Sequence, residues 1–149
     1  MHFDALTVAC VAMELQRTVE GGRVQQVLMP DEHSIGMEIY AQRQRFNLLL
    51  SADPTAGRVH LTQEKLRRGV ENPSPLLLLL RKYVRGSQLT TVEQPDPTER
   101  LLHLAFSHPE HGDTRLVAEL IGPRSNLILC NNQERVLECI HRVWAGDAV

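Results

Sequence analysis

Aromatic side chains are scarce in this chain: three Phe, two Tyr and one Trp make up 4% of 149 residues. A module that reads single-stranded nucleic acid by stacking bases needs several exposed rings. Six aromatics cannot both fill a core and build such a platform, so any RNA recognition should rest on backbone and shape contacts. The three cysteines, Cys10, Cys130 and Cys139, are odd in number, widely spaced and without a C-x-x-C pair. That excludes a disulfide framework and a zinc site, and points to reduced, mostly buried thiols in a cytoplasmic protein.

Lysine is scarcer still, with Lys65 and Lys82 the only two among sixteen basic residues. The net charge of −2 argues against nucleic-acid binding driven by bulk charge, but leaves room for a local basic patch. The start, Met1-His2-Phe3-Asp4, carries no positive n-region or long apolar run, so no signal peptide is expected. The leucine run Leu76–Leu80 is far too short to cross a bilayer. What remains is the apolar and charged balance of a globular domain, with length for one core.

Asp4 can cap a helix whose apolar face is Val8, Val11, Ala12, Leu15 and Val19, stopped by Gly21-Gly22. Alternation then predicts strands over Arg23–Met29, Ser34–Ala41, Arg45–Ala52 and Arg58–Leu61, with the Leu48–Leu50 run buried on both faces. Gln63–Asn72 is polar and basic and reads as a loop or short helix. Pro73-Ser74-Pro75 opens a second helix, Leu76–Arg85, with basic residues in its last turns and Gly86 beyond them. Five more strands are expected at Gln88–Glu93, Arg100–Phe106, Thr114–Ile121, Asn126–Asn131 and Arg135–Ile140. This is an α+β plan, with a two-layer antiparallel β-sandwich or flattened barrel flanked by helices. No convincing sequence repeat relates the halves. The end at Trp144–Val149 reads as that of a domain, 1–149, cut from a longer protein.

The segment Gln94–Arg100 (Gln-Pro-Asp-Pro-Thr-Glu-Arg) forms a stiff turn, because proline fixes φ and donates no backbone hydrogen bond. It presents a carboxylate and a guanidinium, Glu99 and Arg100, at the mouth of a strand. Gly122-Pro123-Arg124-Ser125-Asn126 places a guanidinium, a hydroxyl and an amide in one turn, an anion-nest candidate. Arg67-Arg68, then Arg81-Lys82 and Arg85, are further phosphate-binding candidates. His108, Glu110, His111 and Asp113 could hold a cation, but the loose pattern favours a merely polar tip. His60 and His103 read as satisfied, partly buried strand residues. Ser51 and Ser125 have no evident base partner, and G-x-S-x-G and P-loop patterns are absent. A non-enzyme without a cofactor is expected.

Several stretches together resemble the N-terminal domain of the NFACT proteins (FbpA/RqcH, NEMF and Caliban). They are Phe3–Thr7 with the helix after it, Gly21–Val24, Gln26-Val27 through Pro30-Asp31, Leu49–Pro54 and Arg58–Thr62. Leu79–Lys82, Gln94-Pro95, Glu99-Arg100, Glu119–Gly122 and Ser125–Leu129 complete the set. Their order and spacing carry the resemblance.

The resemblance implies a fold like the N-terminal domain of formamidopyrimidine-DNA glycosylases. Bacterial members are ribosome quality-control factors: they bind large ribosomal subunits holding a stalled peptidyl-tRNA and recruit alanyl-tRNA for template-free alanine tailing. An Asp-Arg pair that the family needs to engage tRNA aligns with Glu99-Arg100, with Glu in place of Asp. Arg58, Arg81, Lys82, Arg124, Ser125 and Asn126 are candidate RNA-backbone contacts. At Pro123-Arg124 the family has Arg followed by His. The glycosylases use an N-terminal Pro amine as nucleophile, followed by Glu; His2 and Phe3 stand here, so that lyase chemistry should be missing. The family name FbpA implies a rival role, a surface adhesion module binding fibronectin.

Overall fold

The structure, a computed structural model, describes residues 4–67, 69 and 74–142. The readings at Met1–Phe3, Arg68, Val70–Asn72, Pro73 and Trp144–Val149 lie outside the described residues. Asp4 caps helix α1 (Ala5–Thr18) by accepting from the Thr7 amide at 2.8 Å. Strands β1 (Arg23–Leu28), β2 (Ser34–Ala41), β3 (Gln44–Ser51) and β4 (Arg58–Thr62) follow as an antiparallel meander. Ser74 caps helix α2 (Pro75–Tyr83), which ends two residues earlier than the charge pattern suggested. A second meander comprises β5 (Gln88–Glu93), β6 (Leu101–His108), β7 (Gly112–Glu119), β8 (Asn126–Asn131) and β9 (Val136–Cys139), with a 3-10 turn at Gly122–Arg124.

Among the described residues the strands form one antiparallel sheet, in the order β4-β3-β2-β1-β5-β6-β7-β8-β9. The expected antiparallel plan flanked by helices is built from one curled nine-stranded sheet. β3 lies against β8, while α1 packs on β4, β5 and β6, and α2 on β1, β7 and β9. The enclosed core is aliphatic (Ile35, Met37, Ile39, Leu48, Leu50, Leu104, Leu116 and Leu129), with Phe106 at 1% exposure its one fully buried aromatic among the described residues. Leu49 and Phe46 are only half-buried, so β3 is covered fully on one face and partly on the other. Cys130 is buried and Cys139 half-buried; Cys10 is exposed, against expectation, because it faces outward from α1.

The halves are related by an internal two-fold pattern centred on the β1–β5 seam. Leu15 and Leu80 each accept from two successive amides at the end of their helices, Val19 and Glu20 in one, Val84 and Arg85 in the other. Gly21 and Gly86 follow with φ of +91° and +85°, where a Cβ would be strained. The Gly21 amide donates to the Leu89 carbonyl and the Gly86 amide to that of Val24, at 2.7 and 2.8 Å. Each strand then carries a bulge at the same place, between Val24 and Gln26 and between Leu89 and Thr91. The sequence shows no convincing repeat between the halves because only a few positions are shared, Leu15/Leu80, Val19/Val84, Gly21/Gly86 and Pro30-Asp31/Pro95-Asp96 among them.

Candidate RNA-contacting turn

The turn after β5 corresponds, under this pattern, to the turn after β1: Gln94-Pro95-Asp96 matches Met29-Pro30-Asp31. Both aspartates fold back on their own chain. Asp96 Oδ1 accepts from the Thr98 amide at 2.9 Å and from its hydroxyl, and Asp31 Oδ1 accepts from the His33 amide at 2.8 Å. The Thr98 hydroxyl and amide hold the Asp96 carboxyl below its ordinary range. Each turn also touches the start of the other half's helix. Gln94 Nε2 donates to the Ala5 carbonyl of α1 at 2.9 Å, and the Ser74 hydroxyl that caps α2 reaches Met29 Sδ at 3.2 Å.

Gln94 Nε2 donates a second time, to the Glu99 carbonyl at 2.8 Å, and the Glu99 amide donates to the Asp96 carbonyl at 3.0 Å. Arg100 is fastened on its other side, its carbonyl accepting from the Leu120 amide at 3.0 Å. The backbone of the pair is therefore fixed from both directions, while both side chains are exposed at the entrance to β6. Among the described residues neither forms an ion pair. Arg100 lies near the α1 cap: Asp4 is held below the ordinary carboxylate range first by the Thr7 amide and hydroxyl, with the Arg100 charge adding to them.

The other candidates separate into two groups. Arg124 is exposed in the 3-10 turn that follows β7, at the same end of the sheet as Arg100. The chain just before Arg58 lies beside Ser125, where a Cβ on Gly57 would be 3.0 Å from Ser125 Oγ, and the Arg58 guanidinium donates to the Ala56 carbonyl. Arg81 and Lys82 sit at the C-terminal end of α2, beside the far end of β6. Ser125 and Asn126 are internal, at 1% and 8% exposure. The Ser125 hydroxyl donates to the Gly122 carbonyl, and Asn126 accepts from the Leu127 and His141 amides while donating to the His141 carbonyl. Their polar atoms hold the β7–β8 connection and the chain after β9, which leaves them no role as outward phosphate ligands.

Two histidine expectations change. His103 is not satisfied: its Nδ1 is buried without a partner. Burial, aided by Arg115, lowers its pKa, against the opposing pull of Glu93 and Glu134. The expected Ser107–Asp113 loop shrinks to a three-residue tip, because β6 and β7 run to His108 and Gly112. There His108 Nδ1 accepts from the Glu110 and His111 amides and caps the tip, and among the described residues no group of three or more His, Cys, Asp or Glu side chains comes together to hold a cation. Among the described residues no helix is long and apolar enough to cross a membrane.

The domain is thus a curled antiparallel sheet with two helices packed on it and an outward-facing acidic–basic turn before β6. The profile of the NFACT N-terminal and middle domains matches residues 4–146, and the chain belongs to the NFACT family. It is 31% identical over 148 residues to the Rqc2 homolog RqcH of Streptococcus pneumoniae, covering 96% of this chain and 26% of that protein. The RqcH of Bacillus subtilis is 33% identical over 143 residues, covering 92% and 24%. The chain thus spans about a quarter of the length of these relatives. Among solved structures, the N-terminal domain of the fibronectin-binding protein PavA from Streptococcus pneumoniae superposes with a TM-score of 0.91 at 30% identity, covering 99% of this chain and 57% of that one. The N-terminal part of the fibronectin/fibrinogen-binding protein of Streptococcus suis gives 0.88 at 33% identity, covering 95% and 54%.

Proposed function

We propose that this domain is the tRNA-engaging part of a cytoplasmic ribosome-associated quality-control factor. The observation that carries this reading is the Glu99-Arg100 pair, held by its backbone on both sides, exposed, and without an internal ionic partner among the described residues. The membership of the family and the RqcH relatives support it. Arg100 donates to an RNA phosphate or base edge, and Glu99 orients it or accepts from a base amino group; such a charge-assisted contact is worth about 1–3 kcal/mol. Arg124 and Arg58, at the same end of the sheet, extend the contact along the RNA backbone. The domain binds and positions, without a catalytic step of its own. The full-length protein recruits alanyl-tRNA to large subunits holding stalled peptidyl-tRNA for template-free alanine tailing. Glu99→Ala/Arg100→Ala in the full-length protein should weaken tRNA binding roughly tenfold or more and abolish tailing. Unchanged tRNA affinity in a folded variant refutes the reading.

The names of the solved neighbours favour a second reading, a fibronectin-binding surface module. Fibronectin capture by intact cells, together with absence of the protein from ribosomal fractions, would put this reading first.

A further inference from the structure

The far end of β6, about 26 Å from Arg100 by strand rise, carries a second group of side chains. The His108 and His111 rings lie 4.7 Å apart and tilted by 33°, and Tyr83 of α2 meets His111 edge-on at 5.9 Å. Lys82 Nζ sits 5.0 Å from the Tyr83 ring centre. The two amides on His108 Nδ1 fix its ring, which backs the exposed His111. Arg85 and Arg23 are exposed beside it, Arg23 donating to the Gly86 carbonyl at 2.9 Å.

The fold does not require these rings. At the matching corner of the first half, Thr18 stands in place of Tyr83 and the tight turn Gln42-Arg43 in place of the histidine hairpin. There Gln42 Nε2 alone closes the helix end, donating to the Arg17 and Thr18 carbonyls. A cluster of three rings flanked by cations, on a corner that its counterpart builds without a ring, points to a ligand.

We propose that Tyr83, His108 and His111 form a stacking site for an unpaired RNA base, with Lys82, Arg85 and Arg23 taking the adjoining phosphates. Aromatic faces accept any base, and flanking cations track the backbone. The hairpin also carries Glu110 and Asp113, so bulk charge does not recruit RNA here; the rings do. The inference rests on the RNA-binding reading above and adds a second contact at the other end of the same strand.

The test uses the full-length protein with a ten-nucleotide oligouridine carrying one 4-thiouridine. Photo-crosslinks should map to peptides containing Tyr83 or His111. His111→Ala should lower oligouridine affinity roughly tenfold and leave that for a base-free ribose-phosphate oligomer unchanged, whereas His111→Phe should retain binding. Circular dichroism checks that each variant folds. Crosslinks elsewhere with His111→Ala binding normally, or capture of acidic peptides in place of RNA, overturn the stacking site and leave Glu99-Arg100 standing. Failure to bind any RNA overturns both.

Discussion

His33 Nδ1 and His141 Nε2 lie 2.8 Å apart, so a single proton sits between them. The other nitrogen of His141 is 2.8 Å from the Ser125 carbonyl, which can only accept, so His141 carries its hydrogen on Nδ1 when neutral and His33 donates to its Nε2. This chain of three groups, the His33 ring, the His141 ring and the Ser125 carbonyl, fastens the β1–β2 turn to the segment after β9 and the start of β8. The pair should therefore couple in a double-mutant cycle. His33→Ala and His141→Ala are each expected to destabilise the domain, and the double variant to fall short of their sum by about 0.5–1.5 kcal/mol. Urea denaturation of the four proteins measures it; simple additivity would show that the contact contributes nothing.

Asn126 serves the same closure. Its side chain makes three internal bonds, and Asn126→Ala should cost about 1–3 kcal/mol by leaving buried groups unpaired. Well below the melting temperature of the variant, its tRNA affinity should match that of the parent. A loss of affinity without a loss of stability would restore Asn126 to the RNA surface.

Acid stability should depend on His103. Burial lowers its pKa in the fold, so below the ordinary histidine value of about 6.5 the unfolded chain binds the proton first and stability drops as pH falls toward the folded value. Glu119 works the other way at lower pH: burial raises its pKa, so folding takes up a proton and acidification favours the fold. Replacing His103 with Leu removes both the titration and an unpartnered buried nitrogen. The variant should be as stable as the parent or more so at pH 7.5, and should lose less stability on moving to pH 5.5. Denaturation midpoints at the two pH values decide it; parallel losses would assign the acid sensitivity elsewhere.

Much of this was legible in the residues. Among the described residues, period-two alternation locates every strand to within two residues, and Asp4, the prolines around Ser74 and the glycines mark the helix ends, because caps and alternation are local. The ring cluster was not, since it joins α2 to a hairpin more than twenty positions away and two of its rings are histidines, which an inventory of Phe, Tyr and Trp leaves out. Ser125 and Asn126 looked like an anion nest for a related reason. A polar turn that binds outward and one that ties down its own chain have the same composition, and only the position of His141 separates them.

The Gln94 amide provides a test that distinguishes a rigid mount from a pair of free charges. It bridges the Ala5 and Glu99 carbonyls, so Gln94→Ala removes two bonds and frees the turn from α1 without touching Glu99 or Arg100. Stability should fall by about 1–2 kcal/mol. If preorganisation matters, tRNA affinity should also fall, by less than in Arg100→Ala, because the guanidinium is kept but must be ordered on binding. Arg100→Lys supplies the complement: it keeps charge and mount but loses the planar fork, and should weaken binding where a base edge or bidentate phosphate is contacted. Glu99→Asp shortens the carboxylate by one methylene and should retain binding if the acid acts by orienting Arg100. Titration of all three variants with one tRNA orders the contributions. Gln94→Ala binding as tightly as the parent, with Arg100→Lys equally unaffected, would reduce the site to diffuse charge and remove the rigid turn from the mechanism.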